Sequence, residues 1–230
     1  MQKLVVLTGA GISAESGINT FRDSGGLWEG HDVMEVASPE GWTKNKALVL
    51  DFYNQRRRNL NEVKPNAAHI ALANLQDIYQ TTILTQNVDD LHERAGSKTI
   101  VHLHGELTKS RSTTHSQLVY TIKGTELNLG DKCEKGSQLR PHIVWFGEEV
   151  PEMERAIEIT SQADILVIIG TSMIVYPAAS LIQYARPKIP VYYIDPNIPD
   201  FPFKSNVVHI RAKATVGMEI LMKEFLKFIY

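Results

Sequence analysis

The sequence predicts an α/β fold: a doubly wound, parallel Rossmann-like sheet with a small inserted lobe built from two excursions of the chain. Three observations lead to this prediction. Short apolar runs rich in β-branched residues are continuous instead of alternating, which is typical of parallel strands buried on both faces. Segments of helical length lie between these runs. A glycine-rich turn at residues 9–14 follows the first run directly, as at the first strand–helix turn of doubly wound sheets.

Six strands are predicted, each an apolar run that ends at small or polar residues. They cover residues 3–7, 81–84, 100–103, 164–169, 191–194 and 206–210. Five helices are predicted by apolar residues at helical spacing. They cover residues 46–60, 66–78, 151–161, 177–184 and 216–229.

Two segments interrupt this alternation of strands and helices. Residues 21–79 are a long, mostly helical excursion, and residues 108–140 are polar, rich in Ser, Thr, Lys and Gly, and without strong periodicity. We therefore predict two units that each consist of several stretches of chain. The Rossmann-like domain comprises residues 1–20, 80–107 and 141–230, and the small lobe comprises residues 21–79 and 108–140.

The composition limits the classes of partner. The chain has 230 residues, 24 of them basic and 26 acidic, and a formal net charge of −2. This balance gives no overall attraction to nucleic acid or to acidic membranes, so we expect neither as a partner. The single cysteine, Cys133, excludes a disulfide within the chain and an all-cysteine zinc site. Without a stretch of signal-peptide or membrane-spanning length, we expect a cytoplasmic protein, and its compact length and near-neutral charge fit a monomer.

The ends of the predicted strands carry the candidate site, because ligands of open parallel sheets bind beyond the carboxyl ends of the strands. Residues 9–14 read Gly-Ala-Gly-Ile-Ser-Ala and fit the G-x-G-x-x-G/A pattern, whose glycines let the backbone approach a pyrophosphate. Dehydrogenases place an acidic residue about 20 positions later at the end of a second strand. Residues 26–32 are not strand-like, so the pattern predicts a nucleotide site and disfavours hydride transfer.

His104 is the candidate catalytic residue, because it follows a predicted strand among these turns and imidazole titrates near neutral pH. His102 alternates with it, but a metal pair of the two has no third ligand at useful spacing, so we expect no metal there. Tyr53 and Arg56 share one face of a predicted helix and could grip a carboxylate. Spacing alone leaves open that Tyr53 is a surface residue and that residues 56–58 form a solvated basic patch.

Seven motifs together resemble those of the sirtuins, the NAD-dependent protein-lysine deacylases, and they span nearly the whole chain. They read GAGISAESGI, TFR, TQNVD, HLHG, VWFGE, GTS and DPN, at residues 9–18, 20–22, 85–89, 102–105, 144–148, 170–172 and 195–197. The resemblance implies that the acyl group of a protein lysine passes to the ribose of NAD. Free lysine, nicotinamide and O-acyl-ADP-ribose are the implied products.

The resemblance also implies a role for individual residues. NAD is the implied cofactor, and the residues implied to bind it are Ala10, Gly11, Ile12, Thr20, Phe21, Arg22, Gln86, Asn87, Asp89, Gly170, Thr171, Ser172, Asp195, Asn197 and Ala214. Acylated lysines of proteins are the implied substrates, and the residues implied to pair with the peptide backbone as an added strand are Val144, Trp145, Phe146 and Gly147. His104 is implied as the general base that takes a proton from the ribose hydroxyls.

Two details concern this chain within the family. Tyr53 and Arg56 resemble the Tyr-x-x-Arg signature of sirtuins that accept acidic acyl groups, which implies removal of succinyl and malonyl groups as well as acetyl. Sirtuins usually hold a structural zinc ion with two C-x-x-C pairs, whereas the corresponding region here offers only His115 and Cys133. Two ligands cannot fill a tetrahedral site, so we expect no zinc and interpret Cys133 as a surface thiol without a role.

Two other functions use the same cofactor residues. An ADP-ribosyltransferase would pass the ribosyl group to a protein side chain or to water, and the sequence does not separate it from a deacylase. A non-catalytic binding module for NAD or ADP-ribose is the other alternative. The presence of His104, Asn87 and Asp89 argues against a module that has lost turnover.

Overall fold

The structure, a computed structural model, describes residues 1–19, 27–28, 30–198 and 206–226. The strands within these residues are β1 (Lys3–Thr8), β2 (Leu27–Trp28), β3 (His31–Asp32), β4 (Gln80–Thr85), β5 (Ile100–His102), β6 (Gly105–Ser112), β7 (Val119–Thr121), β8 (Leu139–Ile143), β9 (Ile165–Ile169), β10 (Val191–Ile194) and β11 (Val207–Ile210). The α-helices are α1 (Gly11–Ala14), α2 (Val33–Val36), α3 (Pro39–Lys44), α4 (Lys46–Glu62), α5 (Ala67–Asn74), α6 (Leu91–Arg94), α7 (Met153–Ser161) and α8 (Ala214–Leu226). Two 3₁₀ helices cover Leu75–Asp77 and Ala178–Tyr184.

The main sheet confirms the predicted fold class. Its strands lie in the order β11-β10-β9-β1-β4-β5, and every pairing within it is parallel. The chain leaves the central strand β1 first toward β4 and β5, and later toward β9, β10 and β11. Connections that depart to opposite sides leave a crevice beyond the carboxyl ends of β1 and β9, which is where such sheets bind ligands.

Strand β1 shows why the predicted strands are continuous apolar runs. Leu4 and Val6 belong to an apolar cluster on one face of the sheet, where α5 and α8 contribute Leu72 and Leu221. Val5 and Leu7 belong to a second cluster on the other face, which α7 and the second 3₁₀ helix cover. Side chains alternate between the two faces of a strand, so a strand covered on both faces is apolar at every position.

A three-stranded antiparallel sheet, β7-β6-β8, forms the core of a separate lobe. A third apolar cluster joins it to α4 and contains Phe52, Tyr53 and Trp145. Residues 108–140 therefore contain strands that their polar sequence did not predict. The main sheet and this lobe agree with a two-unit organisation, while the predicted domain boundaries stay a prediction.

Several predicted elements differ in detail. The predicted helix at 66–78 ends at Asn74 and continues as a 3₁₀ helix, and the segment 177–184 is a 3₁₀ helix instead of an α-helix. The interpretation of Cys133 as a surface thiol is wrong, because its side chain is 6% exposed and its Sγ donates to Ser112 Oγ at 3.4 Å. None of the helices in the described part of the chain has the length and apolar content needed to cross a membrane.

Candidate active site

The loops after β1 and β9 approach each other closely at the crevice. The backbone N–H of Gly9 donates to Ile169 O at 3.0 Å, and that of Gly11 donates to Gly170 O at 2.8 Å. A Cβ atom on Gly11 would lie 2.6 Å from the Cα of Gly170, which itself has a φ of +60°. Only glycines permit this approach and this backbone conformation. The predicted glycine turn is therefore a tight cradle, as a pyrophosphate-binding loop requires.

A cavity of about 310 Å³ opens beside this cradle. The predicted site residues among those that line it are Ala10, Arg56, Gln86, Asn87, Asp89, His104, Val144, Trp145, Phe146 and Gly147. They come from the loops after β1, β4 and β5, from α4 and from the segment after β8. The structure thus brings the predicted cofactor, catalytic and substrate residues to one concave surface.

Three buried side chains join the loop after β1 to the loop after β4. Asn87 Nδ2 donates to Ser13 Oγ at 3.1 Å, and Ser13 Oγ donates to Asp89 Oδ2 at 3.0 Å. Burial raises the pKa of Asp89, while hydrogen bonds from the Leu91 backbone and from Ser13 oppose that rise. Sequence reasoning missed Ser13, although it stands inside the glycine motif. Its hydroxyl fixes the positions of two predicted NAD-binding residues relative to each other.

The remaining predicted cofactor residues lie along neighbouring strand ends. Gln86 Nε2 donates to Thr171 Oγ1 at 3.2 Å, which links the ends of β4 and β9. Asp195, after β10, is buried and accepts from the backbone N–H of Asn197 at 2.9 Å. Ile12 is buried in α1, Ser172 follows Thr171, and Ala214 begins α8. Thr20, Phe21 and Arg22 lie outside the described residues.

His104 has the geometry of a general base. Its Nδ1 lies 3.1 Å from the carbonyl oxygen of Gln86. A carbonyl oxygen only accepts, so Nδ1 carries the proton and Nε2 holds the lone pair. Burial lowers the pKa of His104 below its usual 6.5, although the Gln86 carbonyl opposes this. The imidazole is therefore neutral and able to take a proton at neutral pH.

The three arginines at 56–58 do not form the solvated basic patch that spacing left open. The Arg56 guanidinium lies 4.2 Å from the ring centroid of Trp28 and lines the cavity. Arg57 is 3% exposed, and its Nε donates to the backbone oxygen of Thr125. Arg58 is exposed and pairs with Glu126 at 2.9 Å. Three successive arginines therefore have three different environments.

Tyr53 is fully buried and is not among the residues that line the cavity, so the surface alternative left open for it is wrong. Its phenol oxygen accepts from Trp145 Nε1 at 3.0 Å. Burial raises the pKa of Tyr53 to about 12, which keeps the phenol protonated at neutral pH. The methyl-sized side chain of Ala37 also lines the cavity, and sequence reasoning did not identify it.

The segment 144–147 is held by bonds within the chain. The backbone N–H groups of Val144 and Phe146 donate to the carbonyl oxygens of His104 and Ala37, each at 2.9 Å. The N–H of Trp145 donates to Glu148 Oε2 at 2.8 Å, and Arg140 pairs with the same carboxylate. An added substrate strand would therefore pair with carbonyl oxygens of this segment or with Gly147.

Known proteins match this chain over nearly its whole length. A sequence model of the Sir2 family matches residues 9–177. A Helicobacter pylori protein named NAD-dependent protein deacylase is 58% identical over 99% of this chain and 97% of its own length. A Bacteroides thetaiotaomicron protein of the same name is 53% identical over 96% of this chain and 97% of its own length.

Solved structures agree in fold as well as in sequence. A Sir2 homologue in complex with NAD superposes with a TM-score of 0.89 at 38% identity, covering 99% of this chain and 91% of that one. A mutant Sir2 homologue in complex with ADP-ribose gives the same TM-score and identity over 99% and 93%. By sequence, fold and the arrangement of its crevice, this chain belongs to the Sir2 family, the sirtuins.

Proposed function

We propose that this protein is an NAD-dependent protein-lysine deacylase that transfers the acyl group to ADP-ribose. The observation that carries the proposal is the placement of His104, whose Nδ1 is held by Gln86 O while its ring lines the cavity beside Asn87 and Asp89. The relatives named NAD-dependent protein deacylase support the same activity.

The residues present fit NAD. A Cβ on Gly11 or on Gly170 would clash with the backbone of the other loop, so the glycines let the two loops meet beside the cavity that Ala10 lines. A glycine turn at the start of a helix is the kind of backbone that binds a pyrophosphate. The buried amide of Asn87 and carboxylate of Asp89 face the same cavity. Bound NAD would supply an electrophilic ribose carbon, a leaving group and the ribose hydroxyls that accept the acyl group.

The chain supplies proton transfer and positioning. His104 accepts a proton at Nε2 from a ribose hydroxyl, and Gln86 O stabilises the resulting imidazolium through Nδ1. Asn87 and Asp89, joined through Ser13, hold the ribose side of the cofactor in place. The chain needs no nucleophile of its own in this scheme, since the acceptor hydroxyl belongs to the cofactor.

The acyl groups that we propose are acetyl and the acidic groups succinyl and malonyl. Arg56 carries the acidic preference, because its guanidinium lines the cavity and offers two parallel donors to a carboxylate. The small Ala37 lines the same cavity, and the buried Tyr53 keeps a protonated phenol. Acylated lysines of proteins are the proposed substrates.

A structural zinc ion does not fit the donors at the expected position. Cys133 Sγ donates to Ser112 Oγ, and His115 Nδ1 lies 2.8 Å from Thr114 Oγ1. No group of three possible ligands within the described residues includes either side chain. We therefore propose that packing and backbone hydrogen bonds hold this lobe without zinc. A cytoplasmic location and a monomeric state stay predictions.

The experiment uses one peptide that carries acetyl-lysine or succinyl-lysine, incubated with NAD and followed by mass spectrometry. We expect the wild type to remove both groups and to form one O-acyl-ADP-ribose per lysine released. His115→Ala serves as a control histidine change outside the cavity and keeps this activity. Release of nicotinamide without loss of any acyl group would instead establish an ADP-ribosyltransferase, and binding of NAD without either product would establish a binding module.

A further inference from the structure

A second histidine, His102, lies behind the cofactor loop at the end of β5. Its Nδ1 lies 3.2 Å from the carbonyl oxygen of Asn87, and its Nε2 lies 2.6 Å from Glu93 Oε1. The side chain is 10% exposed and is not among the residues that line the cavity. His102 therefore contacts the loop that carries Asn87 and Asp89 from the side opposite the cofactor.

Both partners of His102 are acceptors. A carbonyl oxygen and an ionised carboxylate have no proton to give, so each ring nitrogen must donate, and the ring is an imidazolium. Burial would lower the pKa of His102, but the hydrogen bond and the charge of Glu93 raise it above 6.5. Burial likewise works against the ionised Glu93, and His102 more than compensates by lowering its pKa.

The same cluster has the composition of a possible metal site. The ligand atoms of Glu93, His102 and Glu106 all lie within 4.8 Å of one another, whereas His104, the metal partner of His102 considered from the sequence, is not part of this group. Each carboxylate already has a cation, however, because Glu106 Oε2 accepts from Lys109 Nζ at 2.8 Å and Glu93 accepts from His102. The positive charges of Lys109 and His102 therefore balance the negative charges of the two carboxylates without a metal ion.

His102 contacts the carbonyl oxygen of Asn87, and other groups of Asn87 are also held by hydrogen bonds. The backbone N–H of Asn87 donates to Thr85 Oγ1 at 3.0 Å, and its side chain donates to Ser13. Val88 O, one peptide further, accepts from the backbone of Leu107 at 2.7 Å. Removal of the His102 bond would leave the Asn87 carbonyl without this donor, and the peptide could rotate.

We propose that His102 is a positioning residue for NAD, which fixes the Asn87 peptide so that the Asn87 and Asp89 side chains face the cofactor. The inference rests on the proposed function and adds a residue that acts only through the loop. The titratable groups that face His102 are Glu93 and His92 on α6, Glu106 on β6 and Asp89 in the loop.

Two amide variants separate the two bonds of the ring. The amide nitrogen of an asparagine takes the place of Nδ1, whereas that of a glutamine takes the place of Nε2. His102→Asn therefore keeps the donor to Asn87 O, and His102→Gln keeps the donor to Glu93 instead. We expect KM for NAD to rise about 10-fold in His102→Gln and no more than about 3-fold in His102→Asn. KM for the acyl peptide and kcat at saturating NAD should stay within about 3-fold of wild type in both.

Three results would overturn the inference. Equal KM values for NAD in the two variants would show that the Asn87 bond has no role in positioning. A rise in both KM values in His102→Gln would indicate general loss of structure, which thermal unfolding of each variant checks. A rise in KM for NAD on treatment of the wild type with a chelator would establish the metal site. If the wild type removes no acyl group, calorimetric Kd values for NAD in the same two variants still test the positioning role separately from the proposed function.

Discussion

His102 and His104 are two residues apart, yet they differ in charge and in proposed role. Each points Nδ1 at a carbonyl oxygen of the same loop, His102 at Asn87 and His104 at Gln86. The difference lies on the other side of each ring. Nε2 of His102 contacts the carboxylate of Glu93, whereas the ring of His104 lines the cavity. A carboxylate raises the pKa of the first, and burial lowers the pKa of the second.

The comparison shows that the partner of one nitrogen sets the role of a histidine. A ring that donates from both nitrogens is a fixed cation and can only hold its neighbours in place. A ring that donates from Nδ1 alone keeps a lone pair and can take a proton. Two histidines on one short segment thus have different proposed roles: His102 holds the loop in place, and His104 acts as a base.

The largest effect should follow from loss of the base. His104→Ala removes the lone pair, so we expect kcat for deacylation to fall about 10²- to 10⁴-fold. Kd for NAD should change far less, because the ring contacts the loop backbone through Gln86 only. Product formation in single-turnover mixtures measures the first quantity and calorimetry the second. Residual kcat above a tenth of wild type in His104→Ala would remove His104 from the base role.

The next-largest effect separates the roles of His104 and Arg56. His104 should be needed for removal of every acyl group, whereas Arg56 should be needed only for removal of charged ones. Arg56→Met should lower kcat/KM for a succinyl peptide about 10- to 100-fold, because a charge-assisted hydrogen bond is lost. Deacetylation should stay within about 3-fold. Arg58→Met is the matched control, since Arg58 is exposed and pairs with Glu126. An equal loss on both peptides would contradict the acidic preference.

Two further histidines test the rule where burial, and not a carboxylate, sets the pKa. His69 and His92 are fully buried, and burial lowers the pKa of His69 to about 4 and that of His92 to about 3. The unfolded chain binds protons at both sites near 6.5, so the free energy of unfolding should decrease as pH falls below that value. The slope is about 1.4 kcal/mol per pH unit for each group.

Urea unfolding at a series of pH values measures this slope. His92→Gln should make the slope shallower, even where its packing lowers the overall stability. A slope unchanged by this substitution would show that His92 does not stay neutral in the folded protein.

The smallest effect should come from removing the charge beside His102 and keeping a hydrogen-bonding group. Glu93→Gln leaves Nδ1 free to donate to Asn87 O, so KM for NAD should stay within about 3-fold of wild type. The pKa of His102 should fall, because Glu93, which opposes the effect of burial more strongly than Glu106 does, has lost its charge. A large rise in KM for NAD would show that the charge, and not the bond to Asn87, positions the loop.

The main sheet was predictable because its strands are apolar on both faces. Lys3–Thr8 and Ile165–Ile169 are uninterrupted runs whose burial leaves little choice of structure. The residues that follow them, including Gly11 and Thr171, were predictable for the same reason, since a known strand end fixes where its turn lies.

The antiparallel lobe was not predictable by the same means. Strand β6 buries Ser110 and Ser112 as well as Leu107, so its inward face carries only a weak apolar signal. The burial of Cys133 and Tyr53 depends on contacts between segments far apart in sequence, such as the bond from Trp145 to Tyr53. His102 and Glu93 lie on β5 and α6, so their pairing depends on how the chain turns between these two elements, and sequence spacing assigned His102 no role.

The most direct test of the account is a pH titration of the two imidazoles by NMR with ¹⁵N-labelled histidine. His102→Asn and His104→Ala assign the signals. The account predicts that His102 titrates above 6.5 and carries protons on both nitrogens at neutral pH, while His104 titrates below 6.5 and carries a proton only on Nδ1. The reverse order, or a common midpoint for both rings, would contradict the division of roles between the two histidines.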